Sequence, residues 1–293
     1  MGTIIKSIAI NNSAEEQGIV ELVSETSNRC LGKAGVPFNA VGMLINTSVY
    51  NENYLLEPAL ATVIQKRLSG NGTQENQENE AIKSVLSFDL HNGGGGLINA
   101  VQVMDGFISS GEIEYGLIVS GDVKPGIGLV ENYSYSTSAG AVLVSKGKKG
   151  EGFLKFRTET FAEFKDDLTS TVSWEKEQVH FVNKTSNDYL KNAVHCSVDL
   201  LQRFLSEEQL SWNDIDLICT SQSPTGFASA FQKKLNIENK IVYLNNQMEI
   251  YSSGLLYSVN HIFESEKMMN AKHILFLTVG AGITVSLAYY KIN

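Results

Sequence analysis

The feature that most restricts this chain is the run Gly93-Gly94-Gly95-Gly96, set between an apolar strand and an apolar helix. Val85 to Leu90 reads as the strand. Leu97, Ile98, Val101, Met104, Phe107 and Ile108 recur at helical spacing, which predicts a helix with a broad apolar face. Ser110-Gly111 supplies a C-terminal glycine stop, and Tyr115 to Ser120 follows as a second strand. A tight turn into a helix N-terminus exposes unpaired N–H groups and a partial positive charge, which suit an anion, an oxyanion or an activated thiolate. No thiol lies in this turn. Neither GxGxxG nor GxxxxGK followed by Ser or Thr fits the run, so a phosphate loop is not indicated. Glycine in an ordered helix or strand costs roughly 0.5–1 kcal/mol relative to alanine. Four in a row therefore point to space kept for a ligand or for close approach of another chain, the alternative being a purely structural turn.

The rest of the chain alternates strands and helices. Ile4 to Ile10 reads as a strand, and Glu15 to Ala34 as a helix with Ile19, Leu22, Val23 and Leu31 as its apolar stripe, stopped at Gly35-Val36-Pro37. Val41 to Asn46 is a strand, and Pro58 is expected to open a helix containing Leu60, Val63, Ile64 and Leu68. Ser69 to Glu80 is polar and low in complexity, a loop tip or insertion that need not be ordered. Ala139 to Val144 and Glu151 to Thr160 are strands, and Phe161 to Trp174 carries mixed signals of a crossover. The pattern then repeats: helix Leu190 to Leu210, strand Asp214 to Thr220, helix Phe227 to Leu235, strand Lys240 to Leu244, a helix opened by Ser252-Ser253-Gly254, and strand Ile274 to Val279. Gly254-Leu255 stands where Gly96-Leu97 stood. Such duplication implies two βαβ-rich halves packed as one α/β unit, divided at 1–165 and 166–293.

A formal charge of −9 over 293 residues argues against a nucleic-acid backbone or an anionic membrane as partner. The basic cluster Lys146-Gly147-Lys148-Lys149 reads as a solvated turn. Cys30, Cys196 and Cys219 lack CxxC spacing and are too scattered for a disulfide framework. No apolar run reaches membrane-spanning length and no basic, apolar leader opens the chain, so a cytoplasmic protein is expected. His180, His195, His261 and His273 show no ligand spacing, and neither a metal nor a cofactor is expected.

In order and spacing these segments resemble the thiolase superfamily, and within it the type III β-ketoacyl-acyl-carrier-protein synthases. Phe88-Asp89-Leu90, Gly96-Leu97, Ser110-Gly111 and Gly116 to Asp122 match the family's strand, turn, helix and strand. Ser138 to Val144 is similar to its Gly-Ala-Gly-Ala strand, and Val279 to Thr284 to its glycine-rich C-terminal loop. The resemblance implies a five-layered αβαβα fold with two pseudo-duplicated halves. It also implies a Cys, His and Asn set for decarboxylative condensation. Matched position by position, the cysteine falls at Gly94, the histidine at Ser221 and the asparagine at Ile250, so all three are vacated. The family's long excursion that holds coenzyme A is shortened, since Cys30 to Gly35 passes almost directly into the next strand and no tryptophan precedes Trp174.

The chain thus resembles the cysteine-less, non-catalytic subunit of heterodimeric condensing enzymes of the alkylquinolone-synthase type. That implies pairing with an active, cysteine-containing homologue, as a heterodimer or a dimer of heterodimers, in acyl-thioester condensation for fatty-acid-derived or polyketide-type secondary metabolites. Acyl-carrier protein or acyl-coenzyme A would be met through the partner. Superfamily dimers join at the sheet edge and the loops beside the turn, so Tyr54, Leu55, Leu56, Glu57 and Pro58, with Gly93 and Gly95, are expected at the partner's pocket or interface. Two alternatives stay open: a hydrolase or acyltransferase using His91 or Ser221, and a structural or regulatory homodimer. Cys219 could serve as a nucleophile, but a cysteine within an apolar strand is far more often inert core. A histidine at a strand end, as His91 is, is usually hydrogen-bonded structure rather than a base.

Overall fold

The computed structural model describes residues 2–11, 17–70, 85–237, 240–242, 249–265 and 271–292. The first half runs β1 (Thr3–Asn11), α1 (Ile19–Ala34), β2 (Val41–Asn46), α2 (Leu60–Gly70), β3 (Leu86–Asp89), α3 (Gly96–Ser110), β4 (Tyr115–Asp122), the short β5 (Leu129–Glu131) and β6 (Ser138–Lys146). The second runs β7 (Gly152–Thr160), the hairpin β8 (Leu168–Glu175) and β9 (Gln178–Thr185), α4 (Tyr189–Glu207), β10 (Leu217–Thr220), α5 (Phe227–Leu235), β11 (Ile241–Val242), α6 (Gly254–Phe263), β12 (His273–Gly280) and β13 (Thr284–Lys291).

Ten strands lie in the order β11-β10-β12-β13-β7-β1-β6-β4-β2-β3. Read outward from the centre, each half uses its first, last, fourth, second and third main strand, and the two meet through a single β1–β7 pair, Thr3 with Phe153. In both halves the pairs around β2 and β10 are parallel except where the last strand returns antiparallel. The duplication read from the sequence is therefore a duplication of topology. β7 lies before residue 165, yet it pairs along its length with β13.

Burial sets the layers. Leu22, Val23 and Leu31 of α1 and Leu60, Ile64 and Leu68 of α2 pack on the outer face of the first half. Phe204 and Leu205 of α4 and Phe227 and Phe231 of α5 do the same for the second. Between the halves lie α3 and α6, whose Ile98, Val101, Met104, Leu255, Leu256 and Val259 share one core with strands of both halves. This gives the expected order, αβαβα. Both central helices are apolar on several faces because both are covered on two sides.

Several boundaries moved. The helix expected from Pro58 begins at Leu60, because Asp89 at the end of β3 accepts the Leu60 and Ala61 N–H groups at 2.7 and 2.8 Å and so fixes where the helix starts. The helix expected from Glu15 begins at Ile19, whose N–H donates to Glu52 Oε2 at 3.1 Å; residues 12–16 lie outside the described residues. Of the polar stretch Ser69 to Glu80, Ser69 and Gly70 end α2 and the remainder lies outside the described residues, as do 243–248 beyond β11. The mixed segment before Trp174 contains β8, paired with β9 and then β5 in a separate three-stranded sheet. Its sequence, Leu-Thr-Ser-Thr-Val-Ser-Trp-Glu, gives little apolar alternation because most of it is solvent-facing.

Candidate functional site

β3 delivers the chain to the glycine turn, and Leu90 N–H still donates to Asn46 O at 2.8 Å. A short turn of helix over Gly93–Gly95 then leads into α3. Gly93 adopts φ +48°, a left-handed conformation that explains glycine there. The space that side chains would need is already taken. A Cβ on Gly94 would sit 2.5 Å from the backbone carbonyl oxygen of Val279. One on Gly93 would overlap the Tyr251 hydroxyl, and one on Gly95 would lie 3.2 Å from both Asn92 Nδ2 and Ser286 Oγ. The facing Gly280 is equally tight, its Cβ position 2.5 Å from Asn92 O. Turn and C-terminal loop thus touch backbone to backbone.

Polar side chains lock the same seam. Asn92 Nδ2 donates to Asn99 Oδ1 at 2.6 Å, Asn99 Nδ2 donates to Thr158 Oγ1 at 2.9 Å, and Thr158 Oγ1 donates to Ser286 Oγ at 3.1 Å. This chain of neutral groups ties the turn to β7 and β13 of the other half.

Ser221 and Ile250, the positions expected to match the family's histidine and asparagine, are both buried. The Ser221 hydroxyl has no hydrogen-bond partner among the described residues, and its Cβ lies 3.1 Å from the position a Gly254 Cβ would take. It is packed against the start of α6, and among the described residues no base is hydrogen-bonded to it. His91 is exposed, outside the buried turn. Cys219 lies fully buried in the core between the halves, and burial pushes its thiol well above the usual thiol range, the reverse of an activated nucleophile. Burial likewise raises the thiols of Cys30 and Cys196. Among the described residues no group of His, Cys, Asp and Glu could hold a metal ion.

What fills the site is a cluster of aromatic rings. Tyr251, next to Ile250, stacks on Tyr135 with ring centroids 4.6 Å apart, and both lie against Tyr50 at 5.6 and 5.4 Å. Tyr50 also meets Tyr133 and Phe181 edge-on, and Tyr54 stacks on Phe181 at 6.2 Å. The Tyr50 and Ser170 hydroxyls share a 2.7 Å hydrogen bond, joining the cluster to β8. Burial pushes Tyr50 up to about 12 and raises Tyr251 well above the usual phenol range, so the rings are neutral packing groups.

Asp122 anchors this cluster from below. Its Oδ1 accepts the Val49 and Tyr50 N–H groups at 3.2 and 3.0 Å, and its Oδ2 accepts Ser252 N–H and Oγ–H at 2.8 and 2.7 Å. Burial raises this carboxyl, against the pull of hydrogen bonds from Ser252, Tyr50 and Val49. Sequence reasoning stopped at Ile250 and missed Tyr251, Tyr50, Tyr135 and Asp122. The available signal was a bulky tyrosine directly after Ile250, with further tyrosines at 50, 54, 133 and 135.

The expected interface loop is pinned at its base and free at its tip. Asn51 Oδ1 accepts Leu55 N–H at 2.7 Å, Tyr54 Oη donates to Ile127 O at 3.2 Å, and Gly126 N–H donates to Glu52 O at 2.9 Å. Leu55 packs against the first-half core, while Leu56, Glu57 and Pro58 are exposed. Gly93 and Gly95 lie beneath Tyr251, Asn92 and Ser286.

No family model matches the chain. Among curated proteins it is similar to the beta-ketoacyl-acyl-carrier-protein synthase III of Baumannia cicadellinicola subsp. Homalodisca coagulata, 23% identical over 280 residues that cover 93% of this chain and 84% of that relative. The synthase III of Blochmanniella floridana is 22% identical, covering 96% of this chain and 86% of its own length. Among solved structures, the 3-oxoacyl-acyl-carrier-protein synthase III from Aquifex aeolicus VF5 superposes with a TM-score of 0.82 at 15% identity, covering 99% of this chain and 100% of that one. A Xanthomonas campestris OleA variant, solved with bound lauric acid and lauroyl-CoA, gives 0.78 at 14% identity over 100% of this chain and 99% of that one. As the element order, the layering and these likenesses agree, the chain has the thiolase-like fold, and its relatives are type III β-ketoacyl-acyl-carrier-protein synthases.

Proposed function

We propose that this chain is a catalytically inactive, ketosynthase III-like subunit that pairs with an active, cysteine-containing homologue in cytoplasmic acyl-thioester condensation. The products would be fatty-acid-derived or polyketide-type metabolites, with acyl-carrier protein or acyl-coenzyme A engaged through the partner. The observation that carries this reading is the closed turn. Condensation needs a thiolate at the helix N-terminus and donors for the developing oxyanion. Here residue 94 is glycine, the place of its side chain is taken by the Val279 carbonyl, and Tyr251 and its neighbours occupy the space beside it. A thiol has been lost, and so has the room for one.

The partner surface is supported by what the first half leaves uncovered. Among the described residues β3 ends the sheet order, and Leu86 on it and Phe107 on α3 stand exposed. An unpaired strand edge beside apolar side chains is a template for another chain. Two copies of this protein would bring no cysteine to the site, so the second subunit is the homologue with an intact Cys-His-Asn set. The pinned Tyr54 to Pro58 loop presents Leu56 to the partner's acyl pocket. Co-expression with that homologue from the same organism followed by gel filtration should give a stable one-to-one complex, in which Leu56→Trp shifts the acyl-length preference. Separate elution, with the homologue alone fully active and unchanged in specificity, would overturn the proposal.

A further inference from the structure

A row of hydroxyl side chains runs across four neighbouring strands of the second half. Thr278 on β12 pairs with Ser286 on β13, and Ser286 pairs with Thr158 on β7. On the other side of β12, Thr220 pairs with Leu277 in parallel register, so the residues next along these two strands are Ser221 and Thr278. All of them face the middle layer. Ser286 and Thr158 meet Asn99 of α3 there, Ile274 and Phe276 precede Thr278 on the inner face of β12, and the Ser221 Cβ lies beside Gly254 at the start of α6.

The row is bridged at one end and not at the other. Asn99 Nδ2 donates to Thr158 Oγ1 at 2.9 Å and to Ser286 Oγ at 3.3 Å, so one amide from α3 serves the β7–β13 pair. Beside Ser221 the covering helix is α6, and the residue it presents is a glycine. The Ser221 and Thr278 hydroxyls have no hydrogen-bond partner among the described residues, although the two residues are only 1% and 0% exposed. Buried hydroxyls are normally paired, because an unmade bond costs the desolvation of the group. Neighbouring strands stand about 4.8 Å apart. Hydroxyls at register positions are then too far apart to bond each other, yet a single oxygen about 2.8 Å from each can join them.

Gly254 leaves the room for that oxygen. Outside its own helix and chain neighbours, the atoms nearest to the place of a Gly254 Cβ are Ser221 Cβ at 3.1 Å and Ile250 Cγ2 at 4.0 Å. The partial positive charge of the helix N-terminus is already answered, since Asp122 Oδ2 accepts Ser252 N–H and Oγ–H. An anion would be set near this buried carboxylate, and a cation would find both its oxygens engaged, Oδ1 by the Val49 and Tyr50 N–H groups. What fits is small, neutral, and both donor and acceptor.

We infer that Ser221 Oγ, Thr278 Oγ1 and the glycine gap at the head of α6 form a buried binding site for one water molecule. That water does for the β10–β12 pair what the Asn99 amide does for β7–β13. Among the described residues no carboxylate or imidazole is hydrogen-bonded to either hydroxyl, so the water is a structural ligand and not a hydrolytic nucleophile. The inference rests on the fold and not on the pairing proposed above.

A crystal structure of this chain at a resolution that shows ordered solvent is the test. Expected is one solvent peak within about 3.2 Å of both Ser221 Oγ and Thr278 Oγ1, lost in Thr278→Val, which keeps the shape and removes one anchor. In solution, cross-relaxation from water to the Gly254 N–H should be seen in the parent and lost in Thr278→Val, with circular dichroism showing that the variant folds like the parent. A signal kept in Thr278→Val would come from the Ser221 hydroxyl exchanging with solvent, and would overturn the inference. So would density in which the two hydroxyls bond to protein groups, or in which solvent touches only one of them. If Thr278→Val does not fold, the parent density decides alone. None of these readouts involves the homologue, so a failure of the pairing leaves this site standing.

Discussion

The two central helices begin with the same device and end in opposite solutions. In the first half, β3 turns through Gly93–Gly95 into α3 with no side chain at all, and the neighbouring main chain closes over it. In the second, Tyr251-Ser252-Ser253 leads into α6, with the Ser252 Oγ and N–H on the buried Asp122, and the Ser253 and Ser138 hydroxyls paired at 3.0 Å. One turn carries no side chains and the other carries them, and the two fit together: the Tyr251 hydroxyl stands where a Gly93 side chain would be. A turn that merely lacked side chains would leave a cavity. Here that space is taken by packing, which ties the two turns to one structural role.

The largest test of that complementarity is Tyr251→Ala. Removing a fully buried ring from the centre of the stack should cost about 3–5 kcal/mol of stability, as for other buried aromatics truncated to alanine. Calorimetry would measure it, and a loss under 1 kcal/mol would mean that the cluster is loose, not space-filling. Gly94→Cys comes next. Because the atom it meets is a backbone oxygen that cannot swing aside, the substitution should destabilise by about 1–3 kcal/mol, and it should yield no condensation with malonyl thioester. A stable, active Gly94→Cys protein would break the account of the closed turn.

Gly93→Ala sharpens the comparison further. The left-handed φ alone costs about 1–2 kcal/mol, and the clash with the Tyr251 hydroxyl adds to it. In a Tyr251→Phe background that second part should shrink to the tight contacts with ring Cζ at 3.1 Å and Ala281 N at 3.3 Å, so the cycle should show coupling between the two turns. Strict additivity would place the clash elsewhere. The smallest effect concerns the cover over the rings, since β5 leads into Tyr133 and Tyr135 and is tied to β9 through His180. Glu131 and then Glu175 raise the His180 pKa in the folded state. A raised folded pKa means that the native state holds the proton more tightly, so this stabilisation is complete below about pH 6.5 and fades as pH rises through the folded value. The melting temperature should fall slightly from pH 6 to pH 8, and His180→Gln should remove that fall. The same slope in the variant would assign it to other groups.

The layers were legible because they rest on periodicity. The apolar faces of α1, α3, α4 and α6 and the strands β2, β4 and β12 carry their burial in local sequence, and the repeated Gly-Leu at residues 96–97 and 254–255 gave away the duplication. β8 and β9 were not legible, since an edge hairpin in water shows little apolar alternation. For the site, Gly94, Ser221 and Ile250 were matched one position at a time, whereas its packing depends on rings from positions 50, 135 and 251 meeting in space. Nothing local to any of them signals that meeting.

The most direct measurement is the intact mass of the purified chain, alone and mixed with the cysteine-containing homologue, after incubation with acyl-coenzyme A. The account predicts an unmodified mass for this chain in both cases and a single acyl adduct on the homologue. A stoichiometric acyl adduct on this chain, at Cys219, Ser221 or any other side chain, would contradict it.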